Sequence, residues 1–330
     1  MSSELPVIKF DYSNKQIIYT PESDIRSLDQ TLLTFPEWYL VYSPEELASL
    51  TKSQTLDKFP FYREIWQYWD SYLTISKYAH QIGSNNFAYH VMLIVIGSST
   101  TVEYFLRGMY ENSIGKFTVY LAGRADEDDY AAKVATQYAQ FINYYPWYEF
   151  DFWHSLTGLW HLPLFGENFI RKVERRYILT TEYLIKYFYA KLIGVLTHGT
   201  YGVAKLYTVA VINRAPENFK NIPQYKQLGW WAGNLLVELP RYYPFKDYAL
   251  NLAEQGVDFV EIAGNRSFIA LSVIAREIPP NNNYQTLFKQ QVYTNPGYER
   301  LFIVVPINQL SNFLRSTANQ KITIEHIYDY

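Results

Sequence analysis

LLVELPRYYPFKDYALNLAEQGVDFVEIAG, from Leu235, and LFIVVPINQLSNFLRSTANQKITIEHIYD, from Leu301, carry the same signals in the same order. Each begins with an apolar run that stops at a proline, Pro240 or Pro306, and proline has no N–H to give to a strand ladder. Each then passes through a helical stretch and closes on a second strand with a glutamate inside it, Glu261 or Glu325. Two strand–Pro–helix–strand units in tandem read as an internal repeat. Two βαβ units sharing one sheet, with both helices on one face, predict a ferredoxin-like arrangement enlarged by a central hairpin. Gly256 stands where the first helix should stop, and Gly264-Asn265 is a hairpin signal between two strands.

Working outward, the hydrophobic period changes near residue 200. After it, the period of two and the β-branched residues predict strands over 205–212, 234–239, 258–263, 268–275, 286–293, 300–305 and 322–328, with helices over 244–255 and 307–317. Before it the period is helical. Ile65, Trp69, Tyr72 and Ile75 recur at three- and four-residue steps, and helices are expected over 61–80, 87–112, 126–144 and 168–197. Ser43-Pro44-Glu45-Glu46 reads as a helix start, with Ser43 as N-cap and Pro44 at the first helical position. Asp126 to Asp129 form an acidic cluster suited to a helix N-terminus. The expected class is therefore α+β: a helical, aromatic-rich domain over 1–200 followed by a ferredoxin-like domain over 201–330.

Composition narrows the function classes. The chain has 330 residues, with 29 Lys+Arg against 32 Asp+Glu and no cysteine. Thiolate chemistry, disulfides and Cys-ligated zinc are excluded, and a formal charge of −3 argues against nucleic acid as partner. No metal site or cofactor is expected: HExxH, GxGxxG, GxSxG and Walker sequences are all missing from the chain. The N-terminal MSSELPVIKFDYSNK has no apolar core of a signal peptide, so cytoplasmic location is expected. The uncharged stretch Tyr78 to Val102 is long enough to span a bilayer but holds six Asn, Gln, Ser and His residues in its first half, which argues against a span. Glu182 and Lys186, at i,i+4, predict a solvated face on the 168–197 helix.

Aromatic residues are the anomaly: 32 Tyr, 20 Phe and 8 Trp. Tyr144 to Phe165 holds nine rings in 22 residues, including Trp147 and Trp153. Such a run can close a core, line a cleft or lie at a lipid–water boundary, and Arg171, Lys172, Arg175 and Arg176 follow it, where they could meet anionic lipid. Glu103, Arg107 and Glu111 share one helix face by their four-residue spacing. A facing charge from Glu174, Arg175 or Arg176 would make a polar floor for a ligand with an anionic or hydroxyl head group. TFPEWY, at 34–39, is expected to dock on the helical domain with Trp38 buried, since its rings are too large to leave in water.

TFPEWYLVYS at 34–43, VEYFLRGMYE at 102–111, ERRYILTTEYLIKYFYAKLIG at 174–194 and the terminal EHIYDY together resemble an uncharacterised family of bacterial proteins over most of the chain. The resemblance implies no activity. The residues themselves support a non-catalytic binding protein that holds a small apolar ligand or contacts a membrane surface, with Glu37, Glu103, Arg107, Trp147, Trp153, Glu174 and Arg175 as the candidate ligand-binding set. The alternative is an enzyme for a small hydrophobic substrate, using Glu37, Glu103 or Glu174 as general acid/base and Arg107 or Arg175 to hold an anion.

Overall fold

The computed structural model describes residues 7–10, 19–84, 86–198, 205–217, 224–277, 283–317 and 320–330. Most of the polar N-terminal stretch, on which the location rests, lies outside them. The helices before residue 200 are α1 (Gln30–Glu37), α2 (Tyr39–Thr51), α3 (Phe61–Gln81), α4 (Phe87–Tyr110), α5 (Lys116–Ala122), α6 (Asp126–Ile142), α7 (Phe152–Trp160) and α8 (Phe169–His198). After it come β1 (Tyr207–Ile212), β2 (Lys226–Trp231), β3 (Asn234–Pro240), α9 (Tyr243–Glu254), β4 (Phe259–Ile262), β5 (Phe268–Ala275), β6 (Gln285–Gln291), β7 (Glu299–Pro306), α10 (Leu310–Thr317) and β8 (Thr323–Tyr328). Helix and strand thus divide where the hydrophobic period changes.

The repeat is real, but its topology differs from the expected single ferredoxin-like sheet. The described strands form two four-stranded antiparallel sheets, ordered β2-β3-β1-β4 and β6-β7-β5-β8. Each repeat is three strands, a helix and a fourth strand, and the helix carries the chain over the first strand. The reason lies in β2, KQLGWW, an edge strand exposed along its whole length. It has no alternation to reveal it, yet it widens the first βαβ unit into a sheet of its own, as β6 does the second. Ala263 and Gly264, at φ 49° and 78°, make the tight turn expected at Gly264-Asn265. That turn hands the chain from one sheet to the other instead of closing a hairpin within one.

Compactness divides the chain otherwise than at residue 200. One unit draws on Met1–Glu37, Trp69–Leu93 and Lys205–Tyr330, and the other on Trp38–Tyr68 and Ile94–Ala204. In the first, which we call the sheet unit, both sheets and both helices share one core, with Val237, Phe245, Leu252, Leu271, Ile303, Leu314 and Ile327 inside it. Gly256, at φ 72°, ends α9 as expected, and Val257 donates back to the Leu252 carbonyl at 3.0 Å. The repeat glutamates are both neutralised: Arg266 reaches Glu261 at 2.8 Å and Arg300 reaches Glu325 at 2.7 Å. Helix α1 docks on the second sheet, where Phe35 lies 4.4 Å from Phe302, centroid to centroid, and Thr31 donates to the Tyr328 carbonyl at 2.6 Å.

The TFPEWY motif is therefore split. Phe35 belongs to the sheet unit rather than to the helical domain, while Trp38 is buried at the start of α2 in the helical unit. The expected cap at Ser43 is also corrected, since Ser43 and Pro44 lie inside α2. The Ser43 hydroxyl donates to the Glu64 carboxylate at 2.6 Å, and so does Tyr39 at 2.6 Å. A buried polar partner, not helix initiation, accounts for the serine.

Candidate functional site

In the helical unit, two sequence stretches written in opposite charge face each other. Helix α6 opens on Asp126-Glu127-Asp128-Asp129, as acids favour a helix N-terminus, and Asp128 also accepts from the Ala125 N–H at 3.0 Å. Helix α8 carries Arg171-Lys172-Val173-Glu174-Arg175-Arg176. Arg171, wholly buried, grips Asp128 with two nitrogens at 2.6 and 2.9 Å. Its third nitrogen donates to the Gly115 carbonyl at 3.0 Å and the Thr118 hydroxyl at 2.9 Å. Arg175 meets Glu111 through two bonds of 2.9 and 3.1 Å and Glu174 at 2.8 Å. Arg176 pairs with Glu127 at 2.9 Å and Lys172 with Asp126 at 2.6 Å.

The backbone is shaped to admit these pairs. Glu111–Gly115 is a single π-helical turn between α4 and α5, the kind of insertion that loosens a helix and frees carbonyls. The Gly115 carbonyl accepts from Arg171 at 3.0 Å and from the Thr118 hydroxyl at 3.0 Å. A side chain at Gly115 would strike the Glu111 carboxylate, and the Arg175 guanidinium would lie 3.3 Å from it.

One turn along, a second network joins α4 to α8. Arg107 lies 3.2 Å from Glu182 and 3.6 Å from Glu103, and Lys186 lies 2.9 Å from Glu103 and 3.0 Å from Glu182. Burial pushes Glu182 upward, but Arg107 and Lys186 outweigh it and hold the carboxyl at about 2. Lys186 is opposed by its own burial, yet Glu103 and Glu182 raise it above the ordinary lysine value. Glu174 lies below the usual carboxylate range despite burial, because Arg175 and Arg171 hold it there. The two networks border a cavity of about 110 Å³ with Tyr104, Tyr138 and Tyr183 in its wall.

The outer face of the same helices has the opposite character. On α8 the exposed residues include Ile170, Val173, Tyr177, Ile185, Phe188, Leu192 and Val195, and between Phe169 and Val195 the exposed residues include one charge, Lys191. On α4 from Ile94 onward, the exposed residues are Ile94, Val95, Ser98, Ser99, Val102, Phe105, Leu106 and Met109. Ile114, Phe117, Tyr120 and Leu121 continue the exposed set through α5, and Trp153 and Trp160 add to it on α7. These nineteen large apolar side chains, at roughly 100 Å² each, leave on the order of 2,000 Å² of apolar surface in water. The wet face expected from Glu182 and Lys186 is thus corrected: their spacing identifies the pair, but the pair points inward and the apolar stripe outward. No described helix is long and apolar enough to cross a membrane.

Of the residues singled out in the sequence, Glu103, Arg107 and Arg175 line the cavity. Glu174 borders it through its bond to Arg175. Trp147 lies 5.3 Å from Tyr189 and Trp153 5.5 Å from Tyr187, ring centroid to centroid and tilted, both against α8. Glu37 lies in the sheet unit, where it accepts a bond from Tyr89, and burial raises its carboxyl. Arg171, Lys172, Arg175 and Arg176 are buried and engaged by carboxylates of the same unit, all of them buried or nearly so except Asp126, so they are not placed to meet anionic lipid. Glu64 is the buried carboxylate that the sequence reading misses, although its partner Ser43 is legible there; Glu182 is legible through Lys186, but as a solvated pair and not as part of a buried network. Among the described residues, no cluster of His, Asp and Glu is arranged to hold a metal ion. Comparison of the chain with family models, curated proteins and solved structures finds no match.

Proposed function

We propose that the helical unit is a lipid-contacting module, and that the protein works as a non-catalytic membrane-surface protein. The observation that carries this reading is the inverted distribution on α8, where Arg171, Arg175 and Glu182 are turned inward while Ile170, Val173, Tyr177, Phe188 and Val195 are turned outward. In water such an arrangement sacrifices both apolar burial and charge solvation. Against acyl chains the outer face is favourable, and every inward charge must be paired. The Tyr and Trp side chains on the same face suit the polar boundary of a bilayer.

An internal ligand is less well supported. About 110 Å³ falls well short of the roughly 300 Å³ or more that a drug-sized ligand needs. The enzyme reading asks Glu103 or Glu174 to exchange protons, yet each carboxylate is engaged by cations at 2.5–3.6 Å.

Vesicle flotation tests the proposal. With the basic residues engaged internally, binding should be driven by apolar contact. It should then be similar for neutral phosphatidylcholine and anionic vesicles and insensitive to added salt. Phe105→Glu and Phe188→Glu, each on an exposed position, should abolish flotation while leaving the circular dichroism spectrum unchanged. Absence of flotation, or binding confined to anionic vesicles and lost in salt, overturns the reading.

A further inference from the structure

The sheet unit carries its own uncharged projection. Strands β2 and β3 turn at Ala232 and Gly233, both at positive φ, 48° and 81°, as a two-residue hairpin requires. Trp230 pairs with Leu235 and Trp231 with Asn234 across the hairpin. Both tryptophans are about 60 per cent exposed, and Leu228 is exposed beside them. From Gln227 to Val237 no residue carries a formal charge. At the base of this segment Lys226 and Glu238 face each other at 3.7 Å.

Consecutive strand residues point to opposite faces, so one indole stands on each side of the tip. A protein partner laid on one face would cover one ring and leave the other in water, whereas immersion covers both. The three side chains together expose on the order of 300 Å², well short of the ~800 Å² per partner that a stable protein interface buries. Addition of another strand to the open edge of β2 is opposed by two features. A bulge shifts the register between Gln227 and Gly229, and Lys226 stands exposed on the edge; both discourage edge pairing.

We propose that the β2–β3 hairpin is a second membrane anchor, inserting Trp230, Trp231 and Leu228 into the lipid–water interface as far as the Lys226–Glu238 pair. Each indole N–H remains at headgroup level, where it finds acceptors while its ring displaces water. The proposal rests on the lipid-contact reading for the presence of a bilayer, and it assigns the sheet unit a part that the helical unit's surface does not require.

The cysteine-free chain makes the test direct, since any introduced thiol is unique. Leu228→Cys and, separately, Val102→Cys on α4 are labelled with an environment-sensitive fluorophore and mixed with phosphatidylcholine vesicles. Both labels should shift to the blue, and lipids brominated near the headgroup should quench the label at 228. A response at 102 without one at 228 overturns the hairpin proposal and leaves the helical reading intact. Silence at both positions sinks the two together. A shift at 228 that follows protein concentration without vesicles indicates pairing between copies and also overturns it. Trp230→Ser with Trp231→Ser should lower vesicle partition roughly tenfold to a hundredfold with no change in the urea unfolding midpoint; unchanged partition refutes the anchor.

Discussion

Replacing Arg171 with methionine removes one guanidinium from a place where water cannot substitute for it. Arg171 is wholly buried, and its nitrogens satisfy both Asp128 oxygens, the Gly115 carbonyl, the Thr118 hydroxyl and Glu174. Methionine fills the aliphatic part of the space and leaves the Asp128 carboxylate, 6 per cent exposed, with the Ala125 N–H for support. Orphaning one member of a buried pair costs about 3 to 5 kcal/mol, which corresponds to a melting temperature lowered by on the order of 10 °C. The pair as a whole is worth much less than that, because two charges had to be desolvated to form it. Arg171→Met combined with Asp128→Asn should therefore recover much of the loss, since an asparagine can still accept from Ala125 and carries no charge. Urea unfolding followed by far-ultraviolet circular dichroism measures all three chains. A single variant that loses less than about 1 kcal/mol would show that solvent reaches the site. A double variant no better than the single would show that Arg171 acts through packing, and either result refutes the reasoning.

Gly115→Ala should destabilise by about 1 to 3 kcal/mol, because the added methyl group meets a Glu111 carboxylate held in place by Arg175; an unchanged unfolding midpoint would show that the pair is free to shift. Trp38→Ala should cost about 3 to 5 kcal/mol, given that the ring is buried at the head of α2, and a negligible change in calorimetry would count against its place in the core. For Glu182, held at about 2, the folded value is below the unfolded one of ~4.3. Its contribution of about 3 kcal/mol is thus complete above pH ~4.3 and lost as pH falls toward 2. Lys186 is raised instead, so its contribution is present below the ordinary lysine value near 10.4 and lost as pH rises through its folded value. Glu182→Gln should flatten the acid limb of the stability profile between pH 4.3 and 2, and an equally steep acid limb in that variant would refute the assignment.

Local rules settled a good deal. The proline at the end of each repeat's strand, the β-branched runs around it and the glycine at the helix stop are decided within a few residues, so the strands at 268–275 and 300–305 and the helices at 61–80 and 168–197 are legible without the fold. The same holds for charge partners on one helix: Glu182 and Lys186, or Glu103 and Arg107, are four apart and meet whatever surrounds them. Strand β2 escaped because a strand exposed along its whole length carries no period. Ser43-Pro44 misled because a serine before proline reads as a cap unless a buried carboxylate, Glu64, is known to stand opposite it.

Direction was decided by tertiary structure alone. The pattern of α8 separates an apolar stripe from an ionic one, but periodicity is unchanged when a helix is rotated by half a turn. Which stripe faces inward depends on Asp126, Glu127, Asp128 and Glu111, between 43 and 64 residues away in sequence, arriving at the positions where Arg171, Arg175 and Arg176 can be neutralised. Once those long-range pairs form, the apolar stripe has nowhere to go but out. The number of sheets was decided in the same way, since strand pairing is made by hydrogen bonds between distant segments and leaves no mark on the segments themselves. The composition of this protein announced that it had more rings than a core needs; only the fold assigned the surplus to its surface.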